Sequence, residues 1–335
     1  MRAVVLYENG SPANLVLEPE YREPECGDGD VIVRVRAASL NYHDIFTCRG
    51  MPGITLPLPV IPGLDLAGEI ETIGGGVDGW NIGDRVLVDP VNRVEGGLMG
   101  ETIDGGFAER CRVPAHQLIR LPDTVSFAQA AALPVAYGSA HRMIMTHGQM
   151  TAGESVLVLG ASGGVGVACV QLARLVGATV TACTSSDDKG RQLLEVGADH
   201  IINYADDDFV KAAWAVAGKP KRHSQEQGYD MVVNFTGGDT WPKSLRCLKP
   251  GGRMVTNGAT AGYDPQTDIR YIFGLELQIR GSTGFKPEDI SRLLELTESG
   301  ELEPLIDREL TLDDYNEAFQ MLENRKVVGK VVITP

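Results

Sequence analysis

The sequence predicts an α/β chain in which a parallel sheet flanked by helices is joined to a β barrel or sandwich. Three observations carry this. The first 125 residues hold short β-branched runs separated by Gly and Pro. From about residue 126, strand and helix patterns alternate. One apolar run then enters the stretch LGASGGVG, residues 159–166, and an Ala-rich helical pattern leaves it.

Taken in order, VIVRVRAASL (31–40), DLAGEIETIG (65–74) and GDRVLVDP (83–90) read as strands, and AERCRVPAHQLIRLP (108–122) adds more strand. SFAQAAALPVAYGSAHRMIM has helical spacing. Then SVLVLG, ATVTACTS, HIINY, YDMVVNFTG and GGRMVTNG read as strands, with helices between them. The tail offers a strand at LELQIRGST, helices in KPEDISRLLELTESG and TLDDYNEAFQMLENR, and a closing strand GKVVIT. No repeat or low-complexity tract is present, and PKRHSQEQG (220–228) is the most loop-like insertion.

The bulk numbers narrow the function classes. With 335 residues a large core can be buried. The formal charge of −15 argues against nucleic acid and anionic lipid as partners. No run of about 18 apolar residues appears, so no membrane span is expected. MRAVVLYENG lacks the order of a secretory leader. The six cysteines include no CxxC pair, so they read as buried thiols of a cytoplasmic protein and not as a cysteine-built zinc site.

The glycine stretch sits in a strand-turn-helix frame, the context of a dinucleotide fingerprint. Ala161, Gly163 and Gly166 take its three positions. Gly163 lets backbone approach a pyrophosphate, Gly166 lets helix pack on strand, and the helix N-terminus offers free N–H groups. The next strand ends in Thr184, Ser185 and Ser186, with no acid for a ribose 2′-hydroxyl. Those hydroxyls, with Lys189 and Arg191, suit a 2′-phosphate, so NADPH is expected ahead of NADH. Asp187 and Asp188 cut against it, and an ordinary Ser-Ser helix cap is the plain reading.

The chain resembles the medium-chain dehydrogenase/reductase superfamily over nearly its whole length. The motifs are LNYHDIFTCRGMPG, LPVIPGLDLAGEI, WNIGDRVLV, GGFAERCRVP, AAALPVAYGSAHRMI, GASGGVG, VGADHIINY, LKPGGRMVTNG and VVGKVVI. The resemblance implies a GroES-like β-barrel catalytic domain at 1–126 and 267–335 and a Rossmann domain at 127–266. Zinc-binding members carry Cys, His-Glu and Cys where this chain has Asn41, then Leu64 and Asp65, then Val135. Residues 89–106 also lack the four cysteines of the structural zinc loop. No zinc is therefore expected, and the likeness narrows to the zinc-independent quinone and enone reductase branch.

From that branch come the expected site residues. Asn41 lies beside the nicotinamide ribose, with Tyr42 and Asp44 close by, and Ser139 meets the nicotinamide. Ala161, Ser162, Gly163, Gly164, Val165 and Gly166 hold the pyrophosphate. Ser185, Ser186, Lys189 and Tyr204 hold the adenosine phosphate end, and Asn257 and Gly258 complete the cofactor site. Competing plain readings are a helix cap for Asn41 and sheet packing for Tyr204. A histidine near the cofactor, His43 or His141, can donate a proton, although helical histidines are more often packed or solvated.

The implied reaction is hydride transfer to a quinone or an α,β-unsaturated carbonyl, with Asn41, Tyr42 or Ser139 stabilising the oxygen. Two alternatives are an atypical carbonyl reductase and a non-catalytic, crystallin-like NADPH-binding protein. Pocket walls are expected at 42–55, 89–106 and 260–285. The likeness also implies a homodimer through ELQIRGST at the Rossmann sheet edge.

Overall fold

A computed structural model describes residues 1–51 and 53–335; Pro52, in the expected pocket wall at 42–55, lies outside the described residues. The chain forms two compact units, one from Met1–Ala136 with Ile290–Pro335, the other from Tyr137–Asp289.

In the first unit, strands run in the order Ile306–Thr311, Lys330–Thr334, Asp30–Ser39, Asp65–Ile73, Arg85–Val88 and Leu118–Arg120, and Arg110–Pro114 also pairs with Asp30–Ser39. Pairing is antiparallel except between the first two. The long Asp30–Ser39 strand alternates buried and exposed side chains at Val33, Arg34, Val35 and Arg36, as a strand with one face on a core must. A core of Val, Ile and Leu, with Phe107 edge-on to Phe319, fills this unit. The sheet's central strand and its neighbour come from opposite ends of the sequence, so neither terminal region builds this unit alone.

The second unit has a sheet in the order His200–Asn203, Thr179–Thr184, Ser155–Val158, Tyr229–Val233, Leu248–Thr256, Gln278–Gly281, with every pair parallel. The reversal of strand order about Ser155–Val158 marks the switch point of a doubly wound sheet, where ligands sit at the carboxyl ends of the strands. Predicted strands and helices appear here in the predicted order. Between Phe127 and His147 the predicted helix is wound partly as π-turns, at Leu133–Tyr137 and Arg142–His147. The first contains Pro134, which has no N–H to give a helix.

Gln278–Gly281 pairs with Leu248–Thr256 within the second unit.

Candidate active site

The turn at 159–166 is built by backbone chemistry. Leu159 N–H donates to the Val233 carbonyl and Ala161 N–H to that of Cys183, which seats the turn on both neighbouring strands. Gly160 takes φ +64°, the left-handed conformation that glycine adopts freely, so the sharp bend comes one residue before the Ala161 fingerprint position. A Cβ on Gly166 would lie 2.3 Å from the Gly160 carbonyl oxygen, and one on Gly163 would meet nothing closer than 3.7 Å. Gly166 is therefore a packing position and Gly163 an open one. The helix Gly164–Val176 has no side-chain cap at Gly163, which leaves the N–H groups of Gly164, Val165 and Gly166 without helical acceptors beside Ser162.

At the ends of the next two strands lie Thr184, Ser185, Ser186 and Tyr204. The Tyr204 N–H donates to the Thr184 carbonyl, which draws these residues together. Tyr204 is 41% exposed, so it is not packed in the sheet. The Thr184 hydroxyl is buried with no partner among the described residues. Ser186 caps the helix Asp187–Glu195 by accepting from the Lys189 N–H at 3.4 Å. Asp187 accepts from the Asn203 amide at 3.0 Å and Asp188 pairs with Arg191, so both acids are turned to protein partners. Asn257 Nδ2 is likewise buried without a partner. Gly258 lines a cleft of about 510 Å³ with Trp241, Tyr263 and Ser282. Ser139 is buried, and His141 Nδ1 lies 2.7 Å from Asp289 Oδ1 in a packed pair with Arg142.

In the first unit the sequence brings together a buried polar cluster. Asn41 precedes the helix Tyr42–Arg49, and its backbone N–H donates to Asp44 Oδ2 at 2.7 Å. Its side chain turns inward: Nδ2 donates to Asp65 Oδ2 at 2.7 Å, and Oδ1 accepts from Lys330 Nζ at 2.6 Å. Both ends of the amide are thus engaged, and its side chain does not cap the helix. Lys330 Nζ also donates to the Leu40 carbonyl at 2.8 Å and lies 3.5 Å from Asp65 Oδ2. The Ser39 hydroxyl lies 2.7 Å from the Ala131 carbonyl and 3.1 Å from Asp65 Oδ2. The backbone N–H of Val135, in the π-turn, donates to Asp65 Oδ1 at 3.1 Å. Burial pushes the Asp65 carboxyl up and the Lys330 ammonium down, and each opposes the other's shift.

Asp44 is fully buried, and burial raises its carboxyl to about 6, against the Asn41 N–H, His43 and Lys330. Its oxygens accept from Asn41 N–H and, at 3.1 Å, from Gly63 N–H. In this conformation it braces the chain and presents no carboxylate to a ligand. Tyr42 is partly buried and edge-on to Phe46. His43 Nε2 lies 2.7 Å from Glu101 Oε2. The loop 89–106 is fixed by its own turns and by Gly105 and Gly106 N–H donating to the Ile61 and Gly63 carbonyls.

Ser39, Lys330 and Glu101 were not expected at a site. One signal marks Lys330: it is the single charge in the closing strand GKVVIT. Ser39 and Glu101 carry no comparable mark, because their partners lie 26 and 58 residues away.

The metal donor set is poor. Leu64 is a core side chain, Val135 offers only its backbone, and Asp65 is already held by an ammonium and three hydrogen-bond partners. Among the described residues no group of three His, Cys, Asp or Glu can hold a metal ion.

Residues 27–123 match the alcohol dehydrogenase GroES-like domain, and residues 164–299 match the zinc-binding dehydrogenase domain. A quinone oxidoreductase-like protein 2 homolog of Nematostella vectensis is 31% identical over 99% of this chain and 88% of its own. The acryloyl-coenzyme A reductase of Sulfurisphaera tokodaii is 30% identical over the full length of both. The crystal structure of an NAD-dependent alcohol dehydrogenase superposes with TM-score 0.90 at 33% identity, covering both chains completely.

Proposed function

The chain belongs to the medium-chain dehydrogenase/reductase superfamily, and from that membership we propose that it passes hydride from NADPH to a quinone or an α,β-unsaturated carbonyl without zinc. One observation carries the reading. Where zinc-binding relatives place ligands, this chain closes a buried cluster of its own, with the Lys330 ammonium beside Asp65 and the Asn41 amide bound to both. With no Lewis acid to polarise a carbonyl, an acceptor that spreads negative charge by conjugation is favoured.

A bound nicotinamide supplies the hydride. The chain's part is to hold and orient. Gly163 leaves room for backbone approach, and the N–H groups of Gly164, Val165 and Gly166, with Ser162, suit a pyrophosphate. Ser185, Ser186, Lys189 and the exposed Tyr204 suit the phosphate end, where both nearby acids are otherwise engaged. The orphaned Asn257 amide, beside Gly258, is a donor awaiting an acceptor. Tyr42 or Ser139 is the proposed donor to the acceptor oxygen, and the Asn41–Asp65–Lys330 cluster orients the chain that carries Tyr42. Six thiols free of disulfides suit a reducing cytoplasm. The sheet edge Gln278–Gly281 is the proposed homodimer seam.

The test is calorimetry with each cofactor, then cofactor oxidation with a 1,4-quinone and with an enone. NADPH is expected to bind about tenfold more tightly than NADH, a difference near 1.4 kcal/mol. Tighter NADH binding overturns the cofactor assignment, and inactivity toward both acceptor classes overturns the reaction.

A further inference from the structure

We propose that His43, oriented by Glu101, is the acid that protonates the α-carbon of the substrate, which narrows the acceptor class to α,β-unsaturated carbonyls. The inference rests on the hydride-transfer reading above.

The pair has the asymmetry of an oriented acid. Glu101 is buried, with a side chain 7% exposed, whereas that of His43 is 31% exposed. A carboxylate only accepts, so the contact at 2.7 Å assigns the proton to Nε2. Nδ1 makes no hydrogen bond among the described residues, so it is the nitrogen left open to a ligand. A protonated ring then offers Nδ1–H, and a neutral one offers an Nδ1 lone pair. The third member of a catalytic triad orients its histidine by the same logic.

Its place in the fold also suits a site. His43 stands in the first turn of Tyr42–Arg49, two residues after Asn41, and Glu101 stands in the loop 89–106. These are two of the segments expected to wall the substrate pocket, and the pair ties one to the other. Behind them Asp44, braced on Asn41 and Gly63, fixes the start of the helix that carries the ring.

The chemistry selects the acceptor. A quinone gains both protons on oxygen, where water exchanges them freely. An enolate gains its proton on carbon, a slower step whose face must be chosen, and there a placed acid contributes most. Hydride from the reduced nicotinamide forms the bond at the β-carbon, and the C=C pair moves into the enolate. The enolate takes the Nδ1 proton at its α-carbon, the N–H electron pair stays on His43, and water returns a proton to the ring. The sum is enone plus NADPH plus H⁺ giving saturated carbonyl plus NADP⁺.

The test compares wild type, His43→Gln and Glu101→Gln on an α-methyl enone, whose product has a stereocentre at the protonated carbon. Wild type is expected to give one configuration. His43→Gln is expected to lose roughly 10²-fold in kcat and to give both configurations, with NADPH affinity within about twofold as a check on folding. Glu101→Gln is expected to fall between, with the configuration kept. In the protein without cofactor, ¹⁵N spectra are expected to show the Nε2–H tautomer of His43, and a tautomer mixture in Glu101→Gln. Full rate and a single configuration in His43→Gln, or an Nδ1–H tautomer in wild type, overturns the inference. Wild type that reduces quinones and no enone also overturns it and leaves the hydride reading standing; inactivity toward both classes removes the hydride reading itself.

Discussion

A methyl group on Gly166 would enter the space of the Gly160 carbonyl oxygen, 2.3 Å away, whereas one on Gly163 would make only an ordinary contact, 3.7 Å from the same oxygen. The two glycines therefore respond differently to alanine. Gly166→Ala is expected to cost stability, about 1–3 kcal/mol by overpacking, read in thermal melts. Gly163→Ala is expected to leave the melting temperature unchanged and to weaken NADPH about tenfold, read by fluorescence titration. Equal losses of stability would break the distinction. The packing role of Gly166 was legible in the sequence, because the fingerprint spacing states it, but the bend at Gly160 was not. Lys330 makes a second residue-scale case. Lys330→Met leaves Asp65 buried without its cation, and the expected loss is about 3–5 kcal/mol in denaturant titrations. A change near zero would mean that the cluster does not depend on its ammonium.

At the scale of elements, alternation of strand and helix patterns was enough for the parallel sheet, since strands such as Ser155–Val158 and Tyr229–Val233 are short, largely apolar and followed by a helix. The barrel-side elements were less legible. Ile306–Thr311 reads IDRELT, with a charge at three of its six positions, and becomes a strand only because Lys330–Thr334 pairs with it. Ala3–Leu6 and Leu15–Glu18 form a two-stranded pair that the sequence pattern did not single out. Tertiary pairing decided these strands, not local propensity. The strand end at Thr184–Ser186 is where we propose that an element sets cofactor choice. A carboxylate at Ser185 would repel a 2′-phosphate and accept from a 2′-hydroxyl. Ser185→Asp is thus expected to move preference from NADPH toward NADH by about tenfold or more, read as the ratio of kcat/KM values. An unchanged ratio would remove this strand end from the phosphate site.

For the whole molecule, the defining feature is that the first unit is drawn from both ends of the chain, with the second unit's sheet continuous in sequence between them. Texture alone announced two such regions, and motif spacing announced the strand-turn-helix frame around residues 159–166. The polar cluster stayed hidden because Ser39, Asn41, Asp65 and Lys330 are scattered over most of the chain and converge only when Lys330–Thr334 pairs with Asp30–Ser39. That convergence underlies the claim that the chain reduces its acceptor with no metal ion. The direct measurement is NADPH oxidation by an enone with protein stripped by chelator, its metal content fixed by elemental analysis. An undiminished rate with no stoichiometric metal present is expected. A rate that collapses on stripping and returns with added zinc would contradict it.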